Sequence, residues 1–222
     1  MSDDRAAKIL QILKHNLALP LWIKANHEPF ETLVMTIISQ NTTDQNTIKA
    51  YKKLSKVSQI TSKALAETSI DTIENAIKSA GLYKTKAQAI KQAAQTILER
   101  YNGALQPVLS LPIDQARDTL MQIKGIGPKT ADVVLLFSAK QPTIPVDTHV
   151  NRVSKRLGFV PAKADYETVR KNLQLLFNTK DYLVVHLLLI AHGRKICKAL
   201  NPLCDRCVVN MYCPTKGDSV KL

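Results

Sequence analysis

DQARDTLMQIKGIGPKTADVVLLFSA, residues 114–139, decides how this chain is to be read. Leu120, Met121 and Ile123 precede a pair of glycines, and Val133, Val134 and Phe137 follow it at helical spacing, which predicts a helix, a tight turn and a second helix. Gly125 and Gly127 are two of only seven glycines in the chain. Glycine adopts backbone angles that other residues resist, and Pro128 suits the first turn of the second helix. The unpaired amides of such a helix start can hold a phosphate. Ile123 to Ala131 (IKGIGPKTA) has the hGhGxxTA pattern of a helix-hairpin-helix that grips a nucleic-acid backbone, with Gly125, Gly127 and Thr130 as candidate DNA contacts. A plain turn between packed helices would use the same residues.

Outward from the hairpin, apolar residues keep the same period. Phe30, Leu33, Val34, Ile37 and Ile38 form one stripe, and Val169, Leu173, Leu176 and Phe177 another, each the buried face of an amphipathic helix. No segment alternates as a strand does, so the chain is expected to be all-α, with about ten short helices. Their breaks fall at Pro20, Pro29, Gly81, Asn102–Gly103, Pro112, Gly125 to Gly127 and Gln141 to Pro145.

The 222 residues carry 31 Lys and Arg against 18 Asp and Glu, a formal charge of +13, which favours a polyanion through counterion release. No apolar run reaches the length of a membrane span, and residues 1–15 lack a signal peptide's layout. A globular, intracellular, monomeric protein whose partner is nucleic acid and not membrane is therefore expected, cytoplasmic or nucleoid-associated. From Lys49 to Lys91 nine lysines meet only three acids, Glu67, Asp71 and Glu74; this excess is either DNA contact or an ordinary solvated face.

Lys129 stands in the first turn of the hairpin's second helix, where the helix dipole disfavours an ammonium and promotes a neutral, nucleophilic amine. A phosphate contact is the plainer role for such a lysine. Eighteen residues on, Pro145-Val146-Asp147-Thr148-His149 places an apolar-flanked carboxylate directly before another amphipathic helix. Asp147 is a good N-cap. A carboxylate beside an amine is also what amine-driven glycosidic cleavage requires, to deprotonate the amine and to stabilise positive charge on the sugar. His186, inside the apolar run Leu183 to Ile190, reads as a core histidine.

Cys197, Cys204, Cys207 and Cys213 are spaced C-x6-C-x2-C-x5-C, compact enough for one loop, 197–213, to wrap one metal centre. A single CxxC with two longer arms suits a cubane better than zinc, which usually draws on two close pairs. Disulfides are least favoured in a reducing compartment. Lys195, Lys198 and Arg206 surround the loop, where a fixed geometry would present them to phosphate oxygens.

Taken together, these segments resemble the endonuclease III family of helix-hairpin-helix DNA glycosylases. The resemblance runs through Glu28-Pro29-Phe30, Ser39-Gln40-Asn41-Thr42-Thr43-Asp44, Gly81-Leu82-Tyr83, the GIGPKTA hairpin, Val146 to His149, His192-Gly193-Arg194 and the four cysteines. It implies a two-lobed fold: a central helical barrel lobe at 25–139 with the hairpin at about 114–139, and a second lobe of 1–24 and 140–222 bearing a [4Fe–4S] loop. The DNA cleft would run between the lobes. It implies a bifunctional glycosylase/AP lyase acting on double-stranded DNA with a damaged base, chiefly an oxidised pyrimidine, or an abasic site. Lys129 would form the Schiff base and Asp147 assist. Asn41, where the family commonly carries glutamine, would enter the space left by a flipped nucleotide, and Leu82 would prop the opposite base; a loop cap and a core leucine are their bland alternatives. His149 is expected near the pocket.

Two departures stand out. Pro128 replaces a basic residue common in the family, and the link from Leu105 to Gln122 looks longer. Rival readings are a monofunctional thymine or uracil mismatch glycosylase and a non-catalytic helix-hairpin-helix binding module. An adenine-removing relative is disfavoured by Thr36, which stands where that group uses a glutamate.

Overall fold

Residues three and four apart do become the buried stripes of helices: the computed structural model describes residues 3–19 and 28–216, and no strand occurs among them. The break expected at Pro20 and the lobe boundary expected at 24–25 lie outside the described residues. In chain order the helices are α1 (Asp3–Asn16), α2 (Pro29–Ser39), α3 (Asp44–Val57), α4 (Ser62–Glu67), α5 (Ile70–Ile77), α6 (Tyr83–Tyr101), α7 (Gln106–Leu109), α8 (Ile113–Met121), α9 (Pro128–Ser138), α10 (Thr148–Arg156), α11 (Tyr166–Leu176) and α12 (Tyr182–Lys195). The chain is all-α, with twelve α-helices among the described residues against the expected figure of about ten. The six-residue α4 and four-residue α7 are too short to display a 3.6-residue period.

Local chemistry sets most helix starts. Thr43, Thr61 and Ser69 cap α3, α4 and α5, and Asp147 and Asp165 cap α10 and α11, each accepting from the backbone N–H three residues on. Such caps contribute about 1 kcal/mol apiece. Pro29 and Pro128 open α2 and α9 at the first helical position, where a missing N–H costs nothing. Asn102 and Gly103, both left-handed, end α6.

The chain divides into two units, one of α1 with everything from Pro142 onward and one of α2 to α9 ending at Gln141. In the α2–α9 unit the apolar stripe of α2 (Phe30, Leu33, Val34, Ile37, Ile38) is buried and packs on α3, α6 and α9. The hairpin is locked within this unit. Ile123 and Ile126 enter its core, and Arg117 of α8 donates from Nε to Asp132 of α9 at 3.1 Å with both side chains buried. Deleting either partner of such a pair strands the other charge, at a cost of about 3–5 kcal/mol.

In the other unit α12 packs on α10 and α1. Val185, Leu187, Leu188 and Leu189 are all buried, as expected for a helix enclosed on several sides. Among the described residues no single helix is long and apolar enough to cross a membrane.

Candidate active site

The turn into α9 needs its first glycine for space and angle. Gly125 has φ +91°, and a Cβ there would meet Cβ of Ala89 on α6 at 2.8 Å and its Cα at 3.3 Å. Gly127 differs. Its backbone is extended (φ −94°, ψ 178°), it holds the N-cap position of α9, no side chain caps the helix, and nothing lies within 4 Å of a Cβ built on it. Gly127 thus leaves an open approach to the helix start that carries Lys129. Lys129 itself is half-buried in the first turn.

The Thr130 side chain is 2% exposed and accepts a hydrogen bond from Gln40 Nε2 at 3.3 Å, so its hydroxyl joins α9 to the end of α2. Thr36, also buried, donates to Thr32 O at 2.6 Å, an internal contact of α2.

Asp147 begins α10. Its Oδ1 accepts from Val150 N–H at 2.7 Å, which is the N-cap role that the sequence allows, and its residue is half-buried. The segment before it is held from two sides: His186 Nδ1 donates to Pro145 O at 2.9 Å, and Val146 N–H donates to Tyr166 Oη at 3.3 Å. His186 is therefore the satisfied core histidine expected, and it steadies the carboxylate's backbone.

At the second residue of α10, His149 packs against α12. A Cβ on Gly193 would meet His149 Cβ at 3.0 Å, Val153 Cγ2 at 3.1 Å and His149 Nδ1 at 3.2 Å, so any larger residue there would require these side chains to give by a few tenths of an ångström. His149 Nδ1 accepts from Arg152 Nη2 at 3.1 Å. Burial pushes its pKa below the usual imidazole value, Asp147 opposes that shift, and Arg152 and Arg194 add to it.

α10 also anchors the cysteine loop. Arg152 donates from Nε to Cys197 O (3.0 Å) and from Nη2 to Gly193 O (2.9 Å), while Arg156 reaches Lys198 O (2.6 Å) and Ala199 O (3.1 Å). The four cysteines are unbridged and half-buried, and all line one cavity of about 440 Å³ counting its open mouth, with Arg156, His192 and Asn210. Arg156 Nη1 lies 3.6 Å from Cys197 Sγ, and His192 Nε2 lies 3.7 Å from Cys207 Sγ. Burial raises the Cys207 thiol's pKa, and the other three cysteines raise it further. Among the described residues no three His, Cys, Asp or Glu side chains close on a single ion. Lys195, Lys198 and Arg206 are exposed around the loop.

Two exposed loop residues return to the α2–α9 unit. Leu82 is 63% exposed, not a core leucine, and takes a left-handed conformation (φ 47°) at the N-cap of α6. Asn41 is likewise exposed and left-handed (φ 50°). For leucine this costs about 1–2 kcal/mol and persists only where the surroundings enforce it.

The lysine-rich stretch divides in two. Lys49, Lys52, Lys53, Lys56, Lys63, Lys78 and Lys84 are exposed. Lys86 is 3% exposed and donates to Ile38 O and Ala80 O, and Lys91 donates to Ala66 O at 2.6 Å. These two lysines serve the fold.

Sequence reasoning missed Lys86, Gln40, Arg152 and Arg156. All act through partners far along the chain, and the only hint was that Arg152 and Arg156 lie four apart on one helix face.

An all-helical chain with a glycine hairpin and a lysine just past it defines a class. The model of the HhH-GPD superfamily base excision DNA repair proteins matches residues 34–179. Within that class the chain belongs to the endonuclease III family. It is 41% identical over 193 residues to endonuclease III of Sulfolobus acidocaldarius, covering 86% of this chain and 84% of that protein. It is 34% identical to endonuclease III of Escherichia coli K12, covering 97% and 98%. A solved structure of a trapped endonuclease III–DNA covalent intermediate superposes with a TM-score of 0.84 at 31% identity, covering 96% of each chain. A thermostable thymine-DNA glycosylase, at 20% identity and a TM-score of 0.71 over 94% of this chain and 93% of that one, shares the fold.

Proposed function

We propose that this chain is a bifunctional DNA glycosylase/AP lyase that removes damaged, chiefly oxidised, pyrimidines from double-stranded DNA, with Lys129 as nucleophile and Asp147 as its assisting carboxylate. One observation carries the assignment of Lys129: it occupies the first turn of a helix that no side chain caps and that Gly127 leaves open, in a chain of a family for which a covalent DNA intermediate has been trapped. The dipole at such a helix start lowers the cost of a neutral amine and draws phosphate toward the hairpin.

In this reading the Lys129 amine attacks C1′ of the extruded nucleotide and the damaged base leaves with the glycosidic bond's electrons and a proton. Asp147 accepts a proton from the amine and offsets positive charge on the sugar. Return of that proton from Asp147 to O4′ breaks the C1′–O4′ bond and opens the sugar ring, leaving a C1′ imine with Lys129; the imine acidifies C2′–H, and loss of that proton expels the 3′ phosphate and nicks the strand. Asn41 and Leu82 stand where the vacated stack would be filled and the opposite base propped. His149 lines the approach to Asp147, and Lys195 contributes a phosphate contact. We place the enzyme, a monomer, with the cell's DNA.

Cys197, Cys204, Cys207 and Cys213 would hold a [4Fe–4S] cluster. The donor set fits. Four thiols line one cavity, and the buried Arg156 guanidinium beside Cys197 Sγ has carbonyls and a sulfur as partners instead of a carboxylate, a setting that suits an anionic centre. The cluster would supply rigidity to the loop that presents Lys195, Lys198 and Arg206, and no bond-breaking.

Borohydride trapping on duplexes carrying an oxidised pyrimidine, uracil, a G·T mismatch or an abasic site tests the reading. A covalent adduct lost in Lys129→Gln is expected. Base release without an adduct would make the enzyme monofunctional, with Asp147 activating water; no release from any duplex would leave a binding module.

A further inference from the structure

Lys86 is the least exposed lysine in the α2–α9 unit's basic stretch, and its ammonium sits between the ends of two helical segments. Nζ donates to Ile38 O at 2.8 Å and to Ala80 O at 2.9 Å. Ile38 belongs to the last turn of α2, three residues before Asn41, and Ala80 ends the 3₁₀ turn Lys78–Ala80, two residues before Leu82. One nitrogen therefore joins the roots of the two loops whose tips are exposed and left-handed. Each acceptor is a helix-end carbonyl, which carries the partial negative charge that a cation satisfies best. The stem of Lys86 is enclosed by the core, and burial pushes its amine below the ordinary lysine range. A buried cation whose only partners are two carbonyls is costly, and it is retained where it organises what it binds.

We propose that Lys86 is a positioning residue that couples the Asn41 and Leu82 loops, so that both insert into a damaged duplex as one rigid unit. It touches no DNA. It holds the backbone behind each tip, and thereby enforces the unfavourable left-handed angles that aim the tips outward. A surface lysine at this position would have screened phosphate; this one sets the spacing of two wedges. The inference rests on the glycosylase reading above, since insertion is what the loops are for.

The test uses the whole protein and a duplex in which 2-aminopurine faces a tetrahydrofuran abasic analogue, which cannot be cleaved. Fluorescence at saturating protein reports unstacking of the opposite base without any chemistry. Wild type is expected to raise it, Leu82→Ala to lose most of the rise, and Lys86→Met, which keeps the stem and removes both donors, to reduce it about fivefold, within the range for residues sharing one network. Lys86→Met with Leu82→Ala is expected to fall no further than Leu82→Ala alone, because the first change acts through the second residue. Lys86→Gln, whose amide offers two N–H donors at shorter reach, should lie between, and it carries the test if Lys86→Met does not fold. Wild-type fluorescence in a folded Lys86 variant, or losses that multiply in the double variant, would overturn the proposal. If wild type itself binds this duplex without unstacking the base, the insertion reading fails first, independently of Lys86.

Discussion

The helix starts that carry Lys129 and Asp147 are finished in opposite ways. At α9 the cap is Gly127, which has no side chain and open space where one would stand. At α10 the cap is Asp147 itself, whose carboxylate closes on Val150 N–H. The first start is left open for something from outside. The second is closed from within, so its carboxylate is fixed in place by the helix it stabilises. Chemistry and stability should therefore be more entangled at Asp147, which caps its own helix, than at Lys129, which caps none.

The largest effect should come from the open end. Lys129→Gln is expected to lower strand nicking by at least about 10³-fold, the scale for losing a covalent nucleophile, with the thermal midpoint and DNA affinity nearly unchanged. A midpoint drop of many degrees would break the contrast, because it would give Lys129 a structural role.

At the closed end two substitutions divide the two roles. Asp147→Asn keeps a good cap and removes the charge, so nicking should fall about 10²–10⁴-fold at almost constant stability. Asp147→Ala should show a similar kinetic loss and also cost about 1 kcal/mol in chemical denaturation. Equal activity in Asn and wild-type proteins would leave Asp147 as a cap alone.

The two hairpin glycines sharpen the comparison further. Gly125→Ala combines a positive φ with an approach to the Ala89 backbone, and should cost about 1–3 kcal/mol by denaturation. Gly127→Ala meets nothing inside the protein. It should cost about 0.5–1 kcal/mol, the penalty of alanine relative to glycine at an N-cap, and show itself as weaker binding in a DNA titration, as expected if the open space is filled by a phosphate backbone.

The smallest effect is electrostatic. Burial lowers the pKa of His149 and Asp147 partly opposes it, so Asp147→Asn should lower the His149 pKa further in an NMR titration. Because the folded pKa lies below the unfolded value of about 6.5, the unfolded chain binds the proton more readily. Stability from this group is whole above that value and declines as pH falls toward the folded pKa.

Much of this was legible in the residues. The hairpin could be read because its signals are local: glycines at a turn, proline at a first helical position, apolar residues in period. Asp147 could be read as a cap, and His186 as a core histidine, from immediate neighbours. The bond from Gln40 to Thr130 could not be read, because a motif position says nothing about a residue ninety positions away. Leu82 was ambiguous because exposure belongs to packing; a leucine between Gly81 and Tyr83 is equally plausible inside or out. Lys86 was hidden among nine lysines, since charge counts cannot tell a solvated ammonium from a buried one.

Determined by the sequence alone were the all-helical class, the helix breaks at Pro29, Gly81, Asn102–Gly103, Pro112 and the hairpin glycines, the Asp147 cap, the cysteine spacing and the basic excess, all of which depend on backbone preference, side-chain period or summed charge within a few residues. Decided only by the tertiary structure were which glycine is needed for room, which lysines are spent on carbonyls, and how Arg152 and Arg156 of α10 grasp the start of the cysteine loop. The reason is distance along the chain: those contacts join residues tens of positions apart, and close packing brings them together only once each core has formed.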